Sequence, residues 1–324
     1  MNENNLENLK KEMGALGFSA GLIKQMEAQM KKDVPEFKLY GHTEASRGQV
    51  DLALYFKRSN KSDYYYLNKF EASHNQSHNL KEGHAYMMIT PAEGSNVVKK
   101  LGNLTEAVEY FRDQKGTHEL AAGKDASDKI TLARMENGKV TEVDKDFRRA
   151  FYAPPVAQNF WLERGKGFSV EQAANMVQGR AVYREDMLNL SGKPYEAWTQ
   201  LDKEQGKDQH GQLSVTRYTE AYGFQLAEVL DKYAIRELGD PGHRERLETS
   251  LKNGNRPMVT SMQEGQEVKL FIEAVPRFKQ LNFFAENGKM EKREQFLKES
   301  SQSLGASRSK GQAEEVTQRS GLKI

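Results

Sequence analysis

The stretch from Phe168 to Phe284, and within it Gly179–Asp202, constrains the fold most, because it reads in order as a helix, a glycine stop, a strand, a loop and a second strand. Ser169 and Gln172 have the spacing of a capping box, in which hydroxyl and amide side chains satisfy each other's backbone N–H groups. Val170, Ala173, Ala174 and Val177 then fall on one helical face. Gly179 can take the left-handed backbone that ends a helix. Strands are predicted at Arg180–Glu185, Tyr195–Asp202 and Leu213–Thr219. Tyr195, Ala197 and Leu201 share one strand face and Trp198 takes the other, so this strand is expected to be covered on both sides, with Trp198 in packing.

The first part of the chain follows a similar grammar. Leu6, Leu9, Met13 and Leu16 recur at helical spacing, Gly17 interrupts, and Ser19 can cap a second helix with Leu22, Ile23, Met26 and Met30 inward. Pro35 stops that helix. Three strands are predicted at Phe37–Thr43, Val50–Phe56 and Tyr64–Phe70, and a fourth at His84–Thr90. In the second, Val50, Leu52, Leu54 and Phe56 alternate with Asp51, Ala53 and Tyr55, the pattern of a half-buried strand. Asn103 and Glu106 open a helix with Leu104, Ala107, Val108 and Phe111 inward. Asn137-Gly138 between Ile130–Met135 and Lys139–Val143 is a hairpin signal.

After the second helical region, Gln225–Tyr233 and Pro241–Lys252, another three-strand meander is predicted at Met258–Gln263, Val268–Glu273 and Phe278–Phe284. MKKDVPEF at Met30–Phe37 and LKNGNRPM at Leu251–Met258 both end a helix in basic residues and pass a proline into the first of three strands. Duplication and the recurrence of a common motif both account for that likeness. The fold class expected is α+β, with two small antiparallel sheets, each a β-meander packed by helices, and a disordered C-terminal tail. The division expected is a helix-plus-meander domain over 1–115, a connector with a hairpin over 116–165, an α+β domain over 166–290, and a partly helical, then disordered, tail over 291–324. From Glu299 onward the chain has almost no apolar side chain to offset the entropy of ordering it.

With 324 residues the chain can hold two ordinary domains, and a 37% hydrophobic share with 29% charged residues implies modest cores. A net charge of +2 argues against a strongly acidic DNA mimic and leaves nucleic-acid binding to a local patch. There are no cysteines, which excludes disulfides, thiolate metal sites and a cysteine nucleophile. The first residues lack the apolar core of a signal peptide, and no run approaches a membrane span of ~20 apolar residues. The expectation is a soluble, cytoplasmic protein that makes no use of a membrane.

No catalytic set can be assembled. Nucleophile-elbow, zinc-protease, P-loop and dinucleotide-binding motifs are all missing from the sequence. His74 and His78, near Glu71 and His84, have the spacing of a helical metal pair, but a polar, glycine-bearing stretch between strands reads as a loop, so neither metal nor cofactor is expected. Lys57, Arg58 and Lys61 adjoin Tyr64–Tyr66, with Lys69 beyond, a combination able to neutralise phosphates and stack bases. Strict alternation puts Tyr64, Tyr66 and Phe70 on one face, in a core, and leaves Tyr65 with Lys69 on the exposed one. Arg148 and Arg149 make a second basic cluster, and Arg308 and Lys310 a third. Arg180, directly after a helix stop, is placed either to neutralise carbonyl ends or to reach a ligand or partner.

The run from Gly179 to Asp186, together with YEAWTQLD, TEAYGFQLAEVLDKYAIREL and NGNRPMVTSMQEGQEVKLFIEAVPRFKQLNFF, gives Phe168–Phe284 its wording. These segments resemble a domain-of-unknown-function family abundant in conjugative and other mobile elements of Bacteroidetes-type bacteria. Leu16–Phe70 is similar to the region preceding that domain in its longer members. No activity is established for that family, so the resemblance implies context alone: a cytoplasmic accessory protein of transferred DNA. The expected function is non-catalytic binding of a protein partner or of nucleic acid. The alternatives are an enzyme acting on nucleic acid or nucleotides with a site gathered from both halves, and a structural or oligomerising module.

Overall fold

The computed structural model describes residues 2–76, 80–81, 83–163, 165–189, 191–209, 211–263 and 265–298. The chain divides into two compact units, one of 1–178 with 202–214, the other of 179–201 with the chain from Val215 onward.

The first unit opens with α1 (Glu3–Ala15) and α2 (Ala20–Lys31), capped by the side chains of Asn2 and Ser19. Asp33, at φ 56°, turns the chain after α2 into β1 (Glu36–Glu44), β2 (Gln49–Arg58) and β3 (Tyr65–Asn75). A second group follows: β4 (Ala85–Thr90), β5 (Val97–Leu101), α3 (Leu104–Arg112), β6 (His118–Gly123), β7 (Lys129–Glu136), β8 (Lys139–Val143) and α4 (Arg148–Tyr152). β9 (Gln158–Trp161) and α5 (Val170–Val177) follow, and α5 carries the capping box of Ser169 and Gln172.

These strands make two sheets, ordered β1-β2-β3-β9 and β5-β4-β6-β7-β8. The first is antiparallel throughout, and its buried face stacks Phe70 against Phe160 at 5.2 Å and meets Phe18 edge-on. The second closes over Tyr86, Leu104, Phe111, Leu120, Phe147 and Phe151. Residues 116–165 are therefore not a connector. They supply three strands of the second sheet, the fourth strand of the first, and α4. The Asn137-Gly138 hairpin is present, with Glu136 opposite Lys139.

A buried polar junction joins the two sheets. The Asp51 carboxylate accepts from Gln49 Nε2 at 2.6 Å and from the backbone N and hydroxyl of Thr105 at 3.0 and 2.9 Å. Asn103 caps α3 and donates its amide to the carbonyls of Gly41 and Leu52, both at 2.8 Å. Gly102 makes this approach sterically feasible: a Cβ there would stand 2.5 Å from the Tyr40 carbonyl oxygen. The Asp51–Ala53 part of β2 is thus covered on both faces, although its alternation predicts one open face.

The remaining elements are β10 (Val182–Leu188), β11 (Pro194–Lys207), β12 (Leu213–Thr219), α6 (Leu226–Leu230), α7 (Pro241–Lys252), β13 (Met258–Gln263), β14 (Gln266–Val275), β15 (Gln280–Phe284) and β16 (Met290–Glu291). They form sheets ordered β10-β11-β12 and β13-β14-β15-β16. The core of the second unit gathers Trp198, Phe224, Leu230, Leu251, Ile272 and Phe283. Trp198 and Ala197 are both buried, so β11 is covered on both sides as predicted. Phe296 stacks on Phe283 at 4.9 Å, which carries this unit past the expected end at 290.

The class is mixed helix and strand, with four sheets among the described residues rather than two. Among the described residues no helix is long and apolar enough to cross a membrane. The predicted disorder of Glu299–Ile324, and the Arg308 and Lys310 cluster, lie outside the described residues.

Candidate functional site: a lysine–aromatic row on the first sheet

Four side chains stand in register across the first sheet. Lys38 of β1 lies opposite Tyr55 of β2, Tyr55 opposite Lys69 of β3, and Lys69 opposite Trp161 of β9. Lys38 Nζ is 4.9 Å from the Tyr55 ring centre and 4.9 Å from that of Tyr40. Lys69 Nζ is 4.4 Å from Tyr55 and 5.6 Å from Trp161. All are within the ~6 Å over which a ring quadrupole attracts a cation. Cation and aromatic alternate along the row, and Trp161 ends it 68% exposed. A groove of about 440 Å³ runs here, lined by Phe37, Lys57 and Asn68 besides the row itself.

Carboxylates balance the lysines. Lys69 Nζ is 2.7 Å from Glu71 Oε1 and 2.7 Å from Asn159 Oδ1. Lys57 lies 3.8 Å from Glu36, and Lys38 3.9 Å from Glu109. The Tyr55 hydroxyl donates to Glu71 Oε2 at 2.8 Å. Burial, opposed by Lys38 and reinforced by Glu71, pushes Tyr55 up to about 12, so it remains a protonated donor at neutral pH.

The predicted basic residues are only partly brought together. Lys57 and Lys69 line the groove. Arg58 pairs with Asp33 at 2.5 Å, and this bond holds the Asp33 carboxyl below its ordinary value. Lys61 is exposed in the turn between β2 and β3. Arg149 borders a small pocket with His74, at the far end of β3 from Tyr65, and Arg148 precedes it on α4. His74 is five residue steps along the strand from Lys69, roughly 16 Å.

Tyr65 is a correction. It is 1% exposed, its amide donates to Asn5 Oδ1 at 2.8 Å, and it belongs to the core, whereas Tyr66 is half exposed. The cause is a β-bulge. Tyr55 pairs with Lys69 but Phe56 pairs with Leu67, leaving Asn68 as an extra residue. One extra residue reverses which side chains face inward, so a phase carried back from Phe70 is inverted at Tyr65. Alternation marked Tyr55 as outward, but nothing local marked Lys38 as its neighbour or Trp161 as the neighbour of Lys69.

Arg180 is the second correction. It is 8% exposed and not a surface charge at a corner. Burial pulls its guanidinium down to about 10, the Arg256 charge adds to that, and Glu273 opposes it. It remains cationic at neutral pH.

The buried carboxylate Asp51 is spent on the cap of α3. His74 lies inside β3, not in a loop, and its Nε2 donates to the Arg47 carbonyl at 2.8 Å. His78 lies outside the described residues, and among those described no three His, Asp or Glu side chains cluster as metal ligands. No family model, no curated protein and no solved structure matches the chain. The likeness to the mobile-element family therefore stands on the quoted segments alone.

Proposed function

We propose that this chain is a non-catalytic binding protein that holds a polypeptide segment along the Lys38–Tyr55–Lys69–Trp161 row. The observation that carries this is Trp161, a large ring left 68% exposed at the end of an ordered row and beside a groove. Tryptophan beside an apolar recess is the residue type that most often anchors a protein interface. Charge selects the class of partner. Lys38, Lys57 and Lys69 face Glu36, Glu71 and Glu109, so the surface has no cationic excess. Nucleic-acid binding without base readout depends on that excess. A polypeptide can stack an aromatic or aliphatic side chain on Trp161 and exchange its own charges with the lysine–glutamate pairs. A role as accessory protein of a mobile element belongs to the same proposal and rests on the sequence resemblance.

Affinity capture from the native host, wild type against Trp161→Ala and with and without nuclease, tests this. A protein recovered with wild type, lost with Trp161→Ala and indifferent to nuclease is expected. Recovery equal in both proteins, or abolished by nuclease, overturns the reading.

A further inference from the structure

We propose that a polar recess at the end of β3 is a second binding site, one that takes the phosphate group of a small ligand. The recess has a volume of about 150 Å³. His74, Asn75 and Gln76 line it where β3 ends, and Arg149 and Ala150 line it from α4. A closed apolar cavity of about this volume holds benzene, so there is room for a phosphate group and a few atoms of its ester.

The strand side of the recess is held firmly. His74 Nε2 donates to the Arg47 carbonyl at 2.8 Å, which places a ring proton on Nε2 and orients the imidazole. Gly48, at φ 77°, presses on the end of β3 so closely that a Cβ there would run into the Asn75 carbonyl oxygen. Asn75 is 2% exposed, and its partner across the ladder, Gln49, is buried as well. The turn between β1 and β2 therefore fixes the Asn75 side of the recess before any ligand arrives.

The use of arginine selects the ligand. The first unit has six described arginines. Three are engaged: Arg58 with Asp33, Arg112 with the Phe151 carbonyl, and Arg134 with Glu142. The other three are Arg149 in the lining, Arg148 beside it on α4, and Arg47, whose carbonyl holds His74. None of these three side chains makes a hydrogen bond or ion pair with another described residue. No carboxylate is among the described residues that line the recess. In the lysine–aromatic row each lysine has a carboxylate beside it, whereas here the positive charge is uncompensated.

A lining of guanidinium and amide groups without a carboxylate disfavours cations and suits an anion rich in acceptor oxygens. The guanidinium fork of Arg149 matches two phosphate oxygens, and a third oxygen is left for the amides of Asn75 and Gln76. A carboxylate offers only the first two. The recess lies at the other end of β3 from the lysine–aromatic row and takes a different class of ligand. It goes beyond the polypeptide binding proposed there, and the two stand or fall separately.

The full chain is titrated with inorganic phosphate and with ribose 5-phosphate, each against sodium chloride of matched ionic strength, and the melting temperature is followed. A saturable rise beyond the chloride control is expected for at least one probe, as for any ligand of the folded state. The tighter probe shows whether free phosphate or a phosphate ester is the source. Arg149→Gln should raise the half-saturating concentration at least about tenfold, as loss of a charge-assisted hydrogen bond does. Gln76→Glu places a negative charge at the recess and should remove the response. Both positions are exposed, so neither substitution disturbs the core. Trp161→Ala should leave the response unchanged. A response equal to that of chloride overturns the proposal, and so does one that persists undiminished in either Arg149→Gln or Gln76→Glu. Loss of the response in Trp161→Ala overturns it too, because the phosphate would then sit at the row.

Discussion

The two helix-then-meander segments, α2 with β1–β3 and α7 with β13–β15, share a plan but dispose of their charges in opposite ways. Each adds a fourth strand beside the third. In the first the added strand is β9, taken from far along the chain, and it brings Phe160 to the core and Trp161 to the outer face. In the second it is β16, two residues reached by a short turn, and the core is closed instead by Phe296. The first meander keeps Lys38, Lys57 and Lys69 outside, each beside a carboxylate. The second unit buries Arg180 without one. The outward, charge-balanced row suits a broad partner that exchanges ion pairs, whereas the second unit turns one arginine, Arg180, inward and pairs another, Arg256, with Glu273. The same secondary structure thus supports different chemistry, set by which strand is recruited and which way the cations face.

The largest effect that could break this comparison lies in the cores. Phe160→Ala and Phe283→Ala should each cost ~3–5 kcal/mol, since both rings are buried and stacked. They should differ in consequence. Phe160→Ala should also abolish partner capture, because it loosens the strand that carries Trp161, while Phe283→Ala should spare capture at temperatures where the protein stays folded. Denaturant titration with parallel capture checks both. Equal loss of capture would show that the row is not a property of the first unit.

A smaller effect concerns Asp51, which ties β2 to α3 and leaves only the Lys38–Tyr55 end of the sheet face open. Asp51→Ala should cost ~1–3 kcal/mol by leaving Thr105 N–H and Gln49 without their acceptor. Burial raises the Asp51 carboxyl above its ordinary value, and the hydrogen bonds from Gln49 and Thr105 oppose this without cancelling it. A raised carboxyl in the folded state means that protonation favours folding. The stabilisation from this group is full below the unfolded value of about 4 and is lost as pH rises through the folded value. Asp51→Asn should remove that decline, because Gln49 can turn its amide to accept. Denaturant midpoints followed upward from pH ~4 in wild type and Asp51→Asn measure it, and parallel curves would contradict the assignment.

Much of this was legible in local sequence. Ser169 with Gln172, Asn103 with Glu106, Asn137-Gly138 and the start of α7 at Pro241 all fall where capping and turn chemistry put them. What failed to show was whatever depends on distance along the chain. No local signal says that β9 will pair with β3, that β4–β8 will form a sheet of their own, or that α3 will cover the second face of Asp51–Ala53. The bulge at Asn68 is likewise silent in the sequence and inverts Tyr65. Arg180 was visible as a residue of interest, but nothing local marked it as buried.

The smallest stability effect carries the most direct test. Trp161→Ala should change stability by no more than about 0.5 kcal/mol, as for other exposed side chains. Trp161 and Trp198 are the two tryptophans, and Trp198 is buried, so a contact at the row should appear in Trp161 emission. Peptides selected by phage display on the full chain, titrated into wild type and Trp161→Phe, make the measurement, with single-stranded DNA and RNA titrated alongside at low salt. The account predicts saturable change in Trp161 emission with peptides, absent in Trp161→Phe, and none with the oligonucleotides. Saturation by oligonucleotides with a steep salt dependence, or peptide binding that leaves Trp161 emission unchanged, would contradict it.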